Sequence, residues 1–178
     1  TLRFFAYRFR QKFEVYATMM IKKNYVSPKS RITALRSELT KQKIDGLIIP
    51  MSDEYQNEYV PAHSKRIAWL TDFTGSAGIV IVLMKKAAAF TDGRYEIQIT
   101  QQIDATIYEI HNISHEAPQL WLTQQIESES VIGYDPWLFT PNAVKTFLNA
   151  VEQGGGNLVP LNDNPIDKIW KTQPAKPK

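Results

Sequence analysis

Phe73-Thr74-Gly75-Ser76-Ala77-Gly78-Ile79-Val80-Ile81-Val82-Leu83-Met84-Lys85-Lys86-Ala87-Ala88-Ala89-Phe90-Thr91-Asp92-Gly93-Arg94-Tyr95 decides how the rest of the chain is read. Ile79 to Met84 is rich in β-branched residues, about strand length, and bounded by glycines on one side and two lysines on the other, a pattern that predicts a buried strand. Lys85-Lys86 is then the tip of a hairpin and Ala87 to Phe90 the return strand. Thr91 or Asp92 stands where a cap is needed for a helix whose apolar residues Tyr95, Ile99 and Ile103 recur every four positions. The predicted unit is strand, hairpin, strand, helix.

Within this unit two motifs invite a chemical reading. Phosphate-cradling loops follow a strand, open a helix and carry a Lys after the second glycine; Gly75-Ser76-Ala77-Gly78 leads into a strand and is followed by Ile79, so it reads as a turn. Ser76 lacks the Gly-x-Ser-x-Gly frame of an exposed nucleophile, because Thr74 and Gly78 hold the outer places, and a hydrolase built from Ser76 and His63 has no motif behind it. Arg94 falls in the first helical turn, where the macrodipole disfavours a cation, which implies a specific carboxylate or carbonyl partner, either inside the domain or on a ligand.

Upstream, Ile32, Leu35 and Leu39 recur at helical spacing behind Ser30 as cap, and Asp45-Gly46 ends the pattern before a short strand, Leu47-Ile48-Ile49, stopped by Pro50. Residues 51–65 are polar and aperiodic and carry Asp53, Glu54, Tyr55, Glu58, Tyr59 and His63; long loops of this kind are where function concentrates. Asp53 and Glu58 form a possible carboxylate pair, but neither lies in an apolar run that would shift its pKa, so both read as solvated charge. Ile67 to Phe73 predicts a short helix with Trp69 and Phe73 facing inward. Downstream come a strand at Thr106–Ile110, a helix at Pro118–Ile126, a strand at Val131–Tyr134, a helix capped by Thr140-Pro141 and ended by Gly154-Gly155-Gly156, a strand at Leu158-Val159 and a last turn at Ile166–Trp170. His111 and His115, four apart, fall at a strand end and in a loop and do not share the helix a metal site would need. The whole is an α/β domain, a mixed β-sheet flanked by helices, with the hairpin supplying antiparallel pairing and no legible strand order.

The 178 residues, 43% hydrophobic, suit one domain with a real core. No cysteine is present, which excludes disulfides and thiolate metal sites and is compatible with a cytoplasmic location. The net charge of +3 is unevenly spread: residues 1–30 hold seven Lys/Arg against one acid, for +6, and the remainder 14 against 17, for −3. A mildly acidic folded part argues against nucleic acid as a partner. The longest apolar run is about six residues, against the roughly 20 a membrane helix needs. Residues 1–29 form a basic leader outside the fold, with Met19 and Met20 as internal start positions; residues 30–170 form the domain; residues 171–178, ending Pro174-Ala175-Lys176-Pro177-Lys178, have the composition of an extended, solvated linker.

Pro50-Met51-Ser52-Asp53, Glu58-Tyr59, Arg66, Phe73 to Gly78, Thr91 to Tyr95 and Asn164-Pro165-Ile166-Asp167-Lys168-Ile169-Trp170 together resemble the N-terminal domain of the Xaa-Pro aminopeptidases (aminopeptidase P), in the creatinase and prolidase superfamily, over about residues 30 to 175. The resemblance implies a creatinase/prolidase N-terminal-domain-like fold and a metallopeptidase parent. In that parent two divalent metal ions, usually manganese, are held by two Asp, a His and two Glu of a downstream catalytic domain, so this chain alone is expected to be inactive. It further implies that the domain shapes the active-site entrance, with Arg94, Asp53, Tyr55 and Glu58 facing it. The implied partners are the catalytic domain, a second copy in a homodimer, and proline-containing peptide substrates of the full-length enzyme. Two departures stand out: Tyr55 where a His is common, and Asp72 where a glycine usually precedes Phe73. The alternative is a stand-alone interaction module with an exposed patch containing Trp170, Trp137 or Phe139.

Overall fold

The computed structural model describes residues 25–176. Residues 1–24, most of the expected basic leader, lie outside the described residues. The first helix, α1 (Pro28–Lys41), begins two residues before Ser30 because Ser27 is its cap: the Ser27 side chain accepts from the Ser30 backbone N–H, and Pro28 opens the first turn.

After α1 follow β1 (Gly46–Pro50), α2 (Arg66–Thr71), β2 (Ile79–Leu83), β3 (Ala87–Thr91), α3 (Glu96–Gln102), β4 (Glu109–Asn112), α4 (Pro118–Gln125), β5 (Val131–Tyr134), α5 (Pro141–Gln153), β6 (Asn157–Pro160) and α6 (Pro165–Ile169), with 3-10 turns at Ala62–Ser64 and Pro136–Leu138. The hairpin at Lys85-Lys86 joins β2 to β3 as the sequence predicts, pairing Ile79 with Phe90 and Val82 with Ala87. The expected strand at Thr106 begins instead at Glu109. The Asp104 carboxylate accepts from both the backbone N–H and the hydroxyl of Thr106, at 2.9 and 2.6 Å, and winds residues 104–107 into a turn. Thr91 and Asp92 do not cap α3: the Thr91 hydroxyl donates to the Ala77 carbonyl at 2.8 Å, and Tyr95 takes the cap position without a side-chain bond.

The six strands lie in the order β4-β3-β2-β1-β5-β6. Antiparallel pairing is not confined to the hairpin, because β1 also runs antiparallel to β2, from Gly46 opposite Leu83 to Pro50 opposite Ile79. β1 with β5, β5 with β6 and β3 with β4 are parallel. β2 therefore runs against all the others, and β1, β3, β4, β5 and β6 end at one edge of the sheet. Both outer strands are four residues long and carry polar positions, Glu109 and Asn112 in β4 and Asn157 in β6, which ends at Pro160.

Side chains alternate between the two faces with period two. Leu47, Ile49, Val80, Val82, Ala87 and Ala89 pack against Ile32, Leu35 and Leu39 of α1, Ile67 and Leu70 of α2, Ile99 of α3 and Ile166 of α6. Ile48, Ile81, Leu83, Ala88, Phe90 and Ile132 pack against Trp121 and Leu122 of α4 and Phe147 and Val151 of α5. With both faces covered, the central strands must be apolar throughout, which is why Ile79 to Leu83 reads as an unbroken hydrophobic run.

Candidate functional site

Because five strands end at one edge, the connections after β1, β5 and β6 gather there, where open α/β sheets place their ligand sites. They enclose a cleft of about 1050 Å³ lined by Asp53, Tyr55, His63, Arg66, Asp135 and Asp167 among others. α2 delivers Arg66 to its floor, and α6 delivers Asp167. The Arg66 guanidinium, 4% exposed, donates Nε to one Asp167 oxygen and Nη2 to the other, both at 2.8 Å, a planar fork only arginine supplies. Asp135 and Asn164 are the caps of the turns that follow β5 and β6: each accepts from the backbone N–H two residues on, and Asn164 Nδ2 donates to Asp135 Oδ2 at 3.0 Å, locking the two turns together. Ser52 closes the same corner by donating to the Leu138 carbonyl at 2.7 Å.

Asp53 also lines this cleft, and here the structure corrects the expectation of solvated charge. The residue is 1% exposed, and its carboxylate accepts from Asn57 Nδ2 at 2.8 Å and from the backbone N–H groups of Tyr55 and Asn57 at 3.0 Å. Burial works to raise its pKa, but those three donors, led by the Asn57 amide, outweigh it and hold the carboxyl below its ordinary value. Asp53 shapes the loop that carries Tyr55 and Glu58. Tyr55 stands at the rim, 83% exposed.

Glu58 is exposed on a second, smaller cleft of about 280 Å³ that it shares with Gly75, Ser76 and Tyr95. Arg94 lines neither cleft and lies two residues before α3 rather than in its first turn. Its expected carboxylate partner is local: Nε and Nη2 donate to the two oxygens of Asp92 at 3.0 and 2.8 Å. This contact raises the Arg94 pKa and lowers that of Asp92. Ser76 exchanges a hydrogen bond with the Tyr95 hydroxyl at 2.7 Å, while His63 lines the larger cleft, so the serine and histidine belong to different sites. His111 lies within β4 and contacts Glu116 and Glu109, whereas His115 sits in the turn beyond.

Arg66, Asp135, Asn164 and Asp167 frame the larger cleft yet carry no motif of chemistry. The signal available for Asp135 and Asn164 was the Asx-Pro pair that opens each following turn. Of the three aromatic residues expected on an exposed patch, only Trp137 is out, at 72%. Trp170 is buried and stacks on Trp69 at 5.4 Å, and Phe139 is half-buried against Tyr134 and Phe147. Asp72, in the place of the usual glycine, adopts the left-handed conformation at φ 67°, and its carboxylate accepts from Arg31 Nη1 and the Tyr25 hydroxyl, each at 2.6 Å.

Among the described residues no group of three or more His, Asp or Glu is placed to hold a metal ion, and no helix is long and apolar enough to cross a membrane. The described residues do not fit the two-metal site of a metallopeptidase.

The mixed sheet, its covered faces and the loop cluster at one edge define an α/β domain with its candidate site at the strand ends. The family model for the Creatinase/Prolidase N-terminal domain matches residues 31–169, and the chain belongs to that family. It is 36% identical over 143 residues to human Xaa-Pro aminopeptidase 2, and 35% identical over 156 residues to a probable Xaa-Pro aminopeptidase P of Aspergillus niger. The chain spans only 21% and 25% of those proteins, against 80% and 86% of its own length, and corresponds to their N-terminal part. Among solved structures, the X-prolyl aminopeptidase of Caenorhabditis elegans, described as a cytosolic enzyme with a di-nuclear active site, superposes with a TM-score of 0.79 at 25% identity, over 85% of this chain and 26% of that one. The isolated N-terminal domain of the cytoplasmic peptidase PepQ of Mycobacterium tuberculosis shares the fold, with a TM-score of 0.59 at 20% identity, over 79% of this chain and 98% of that one.

Proposed function

We propose that the chain is the non-catalytic N-terminal domain of an Xaa-Pro aminopeptidase-like metallopeptidase, which shapes the entrance to the active site and supports a homodimer. The observation that carries this reading is coverage: the superposition takes in 85% of this chain, with its sheet packed on both faces, but 26% of the Caenorhabditis elegans enzyme. Hydrolysis of proline-containing peptides by two divalent ions, manganese in the expected form, then belongs to the catalytic domain, and the protein works in the cytoplasm. Tyr55, Glu58 and Arg94 face the entrance, and Asp53 holds the loop that carries the first two.

The test adds this domain in trans to the catalytic half of the enzyme. A change in oligomeric state by light scattering, or in turnover of a proline peptide, is expected; no effect on either overturns the reading, as does dipeptide cleavage by this chain alone. A second reading, a stand-alone interaction module, draws support from exposed Trp137 beside the cleft. A partner lost on Trp137→Ala, with the catalytic half absent, would favour it.

A further inference from the structure

The segment after Trp170 has the composition of a free tether, yet it is hydrogen-bonded along the rim of the larger cleft, which Lys176 lines. The Gln173 side chain donates to the His63 carbonyl at 3.0 Å and to Asp167 Oδ1 at 2.8 Å. His63 Nδ1 donates to the Pro174 carbonyl at 2.6 Å, and Lys176 Nζ reaches Glu54 at 3.0 Å. The contacts to His63 and Glu54 span 110, 111 and 122 residues of sequence. One anchor, Asp167, is already fixed by the Arg66 fork.

Charge points the same way. Asp53, Glu54, Asp135, Asp163 and Asp167 line the cleft, and the one arginine there is engaged by Asp167, so the cleft is acidic and Lys176 is its complement. Proline at position 174 restricts the free segment beforehand and lowers the ordering cost of seating it.

We propose that the chain's own outgoing segment, Gln173–Lys176, is a strap held along the rim of this cleft by Glu54, His63 and Asp167, and that it fixes where the chain leaves the domain. It rests on the reading that a catalytic domain follows, whose direction of departure the strap then sets. The test uses this chain alone, so the strap and that reading can fail separately.

The chain has no cysteine, so Ala175→Cys and Glu152→Cys, both at exposed positions, give a clean nitroxide pair for pulsed dipolar distance measurement. One narrow distance distribution is expected. Adding Gln173→Ala with Lys176→Gln, changes confined to the strap, broadens it by about twofold or more, towards the spread of a flexible linker, with the far-ultraviolet circular dichroism unchanged. A distribution already broad in the labelled parent overturns the proposal, and so does one that stays narrow in the strap variant.

Discussion

Asp53 illustrates what a residue's neighbours in sequence conceal. Read from the chain it is one acid in a polar loop; in the fold it is almost wholly buried and answered by three N–H donors from residues 55 and 57. Nothing in the spacing announces this, because the burial comes from strands and turns far along the chain, although an Asx-type bond to residues just downstream is what such an aspartate favours. Asp53→Asn removes the charge from these bonds and is expected to cost about 1–3 kcal/mol at pH 7 by urea denaturation. The folded pKa lies below the ordinary 3.8, so the stability Asp53 contributes is present above that value and lost as the pH falls through the folded pKa. The gap between parent and variant should hold from pH 7 to pH 5 and narrow only in more acid solution. Arg94 shows the opposite case: a carboxylate or carbonyl partner was expected from a place in the first helical turn that it does not hold, and Asp92, two residues away, supplies the carboxylate.

Elements were more legible than side chains, because burial on both faces of the sheet forces long apolar runs with short interruptions. The hairpin, β1 and β5 follow from such runs, and α4 and α5 from helical spacing of apolar residues, with Thr140-Pro141 opening the latter. The start of β4 was misplaced because Asp104 captures Thr106, a local bond that competes with the ladder. The turn before β2 admits a sharp test. A Cβ at Gly78 would lie 2.8 Å from the Phe90 carbonyl oxygen, a backbone atom that cannot step aside, whereas a Cβ at Gly93 would meet nothing within 4 Å. Gly78→Ala should therefore lose about 1–3 kcal/mol of stability. Gly93→Ala should stay within about 0.5 kcal/mol of the parent. Equal denaturation midpoints for the two variants would contradict this account of the turn.

For the molecule as a whole, strand order was beyond reach from sequence, since β1 pairs with β2 and β5 through contacts that no local pattern encodes. The Arg66–Asp167 fork joins positions 101 residues apart and ties α2 to α6 at the floor of the cleft. Arg66→Lys keeps the charge but cannot reach both carboxylate oxygens in one plane, and is expected to lower global stability by about 2–3 kcal/mol in urea. Unchanged stability would mean that the pair does not bind the two ends of the domain together. The outer strands have a consequence for assembly. At four residues each, one opening with a glutamate and the other closing with a proline that has no N–H to offer, β4 and β6 are poor templates for another chain. Copies of this domain are thus protected from zipping into a continuous intermolecular ribbon, and association has to proceed through helices and loops.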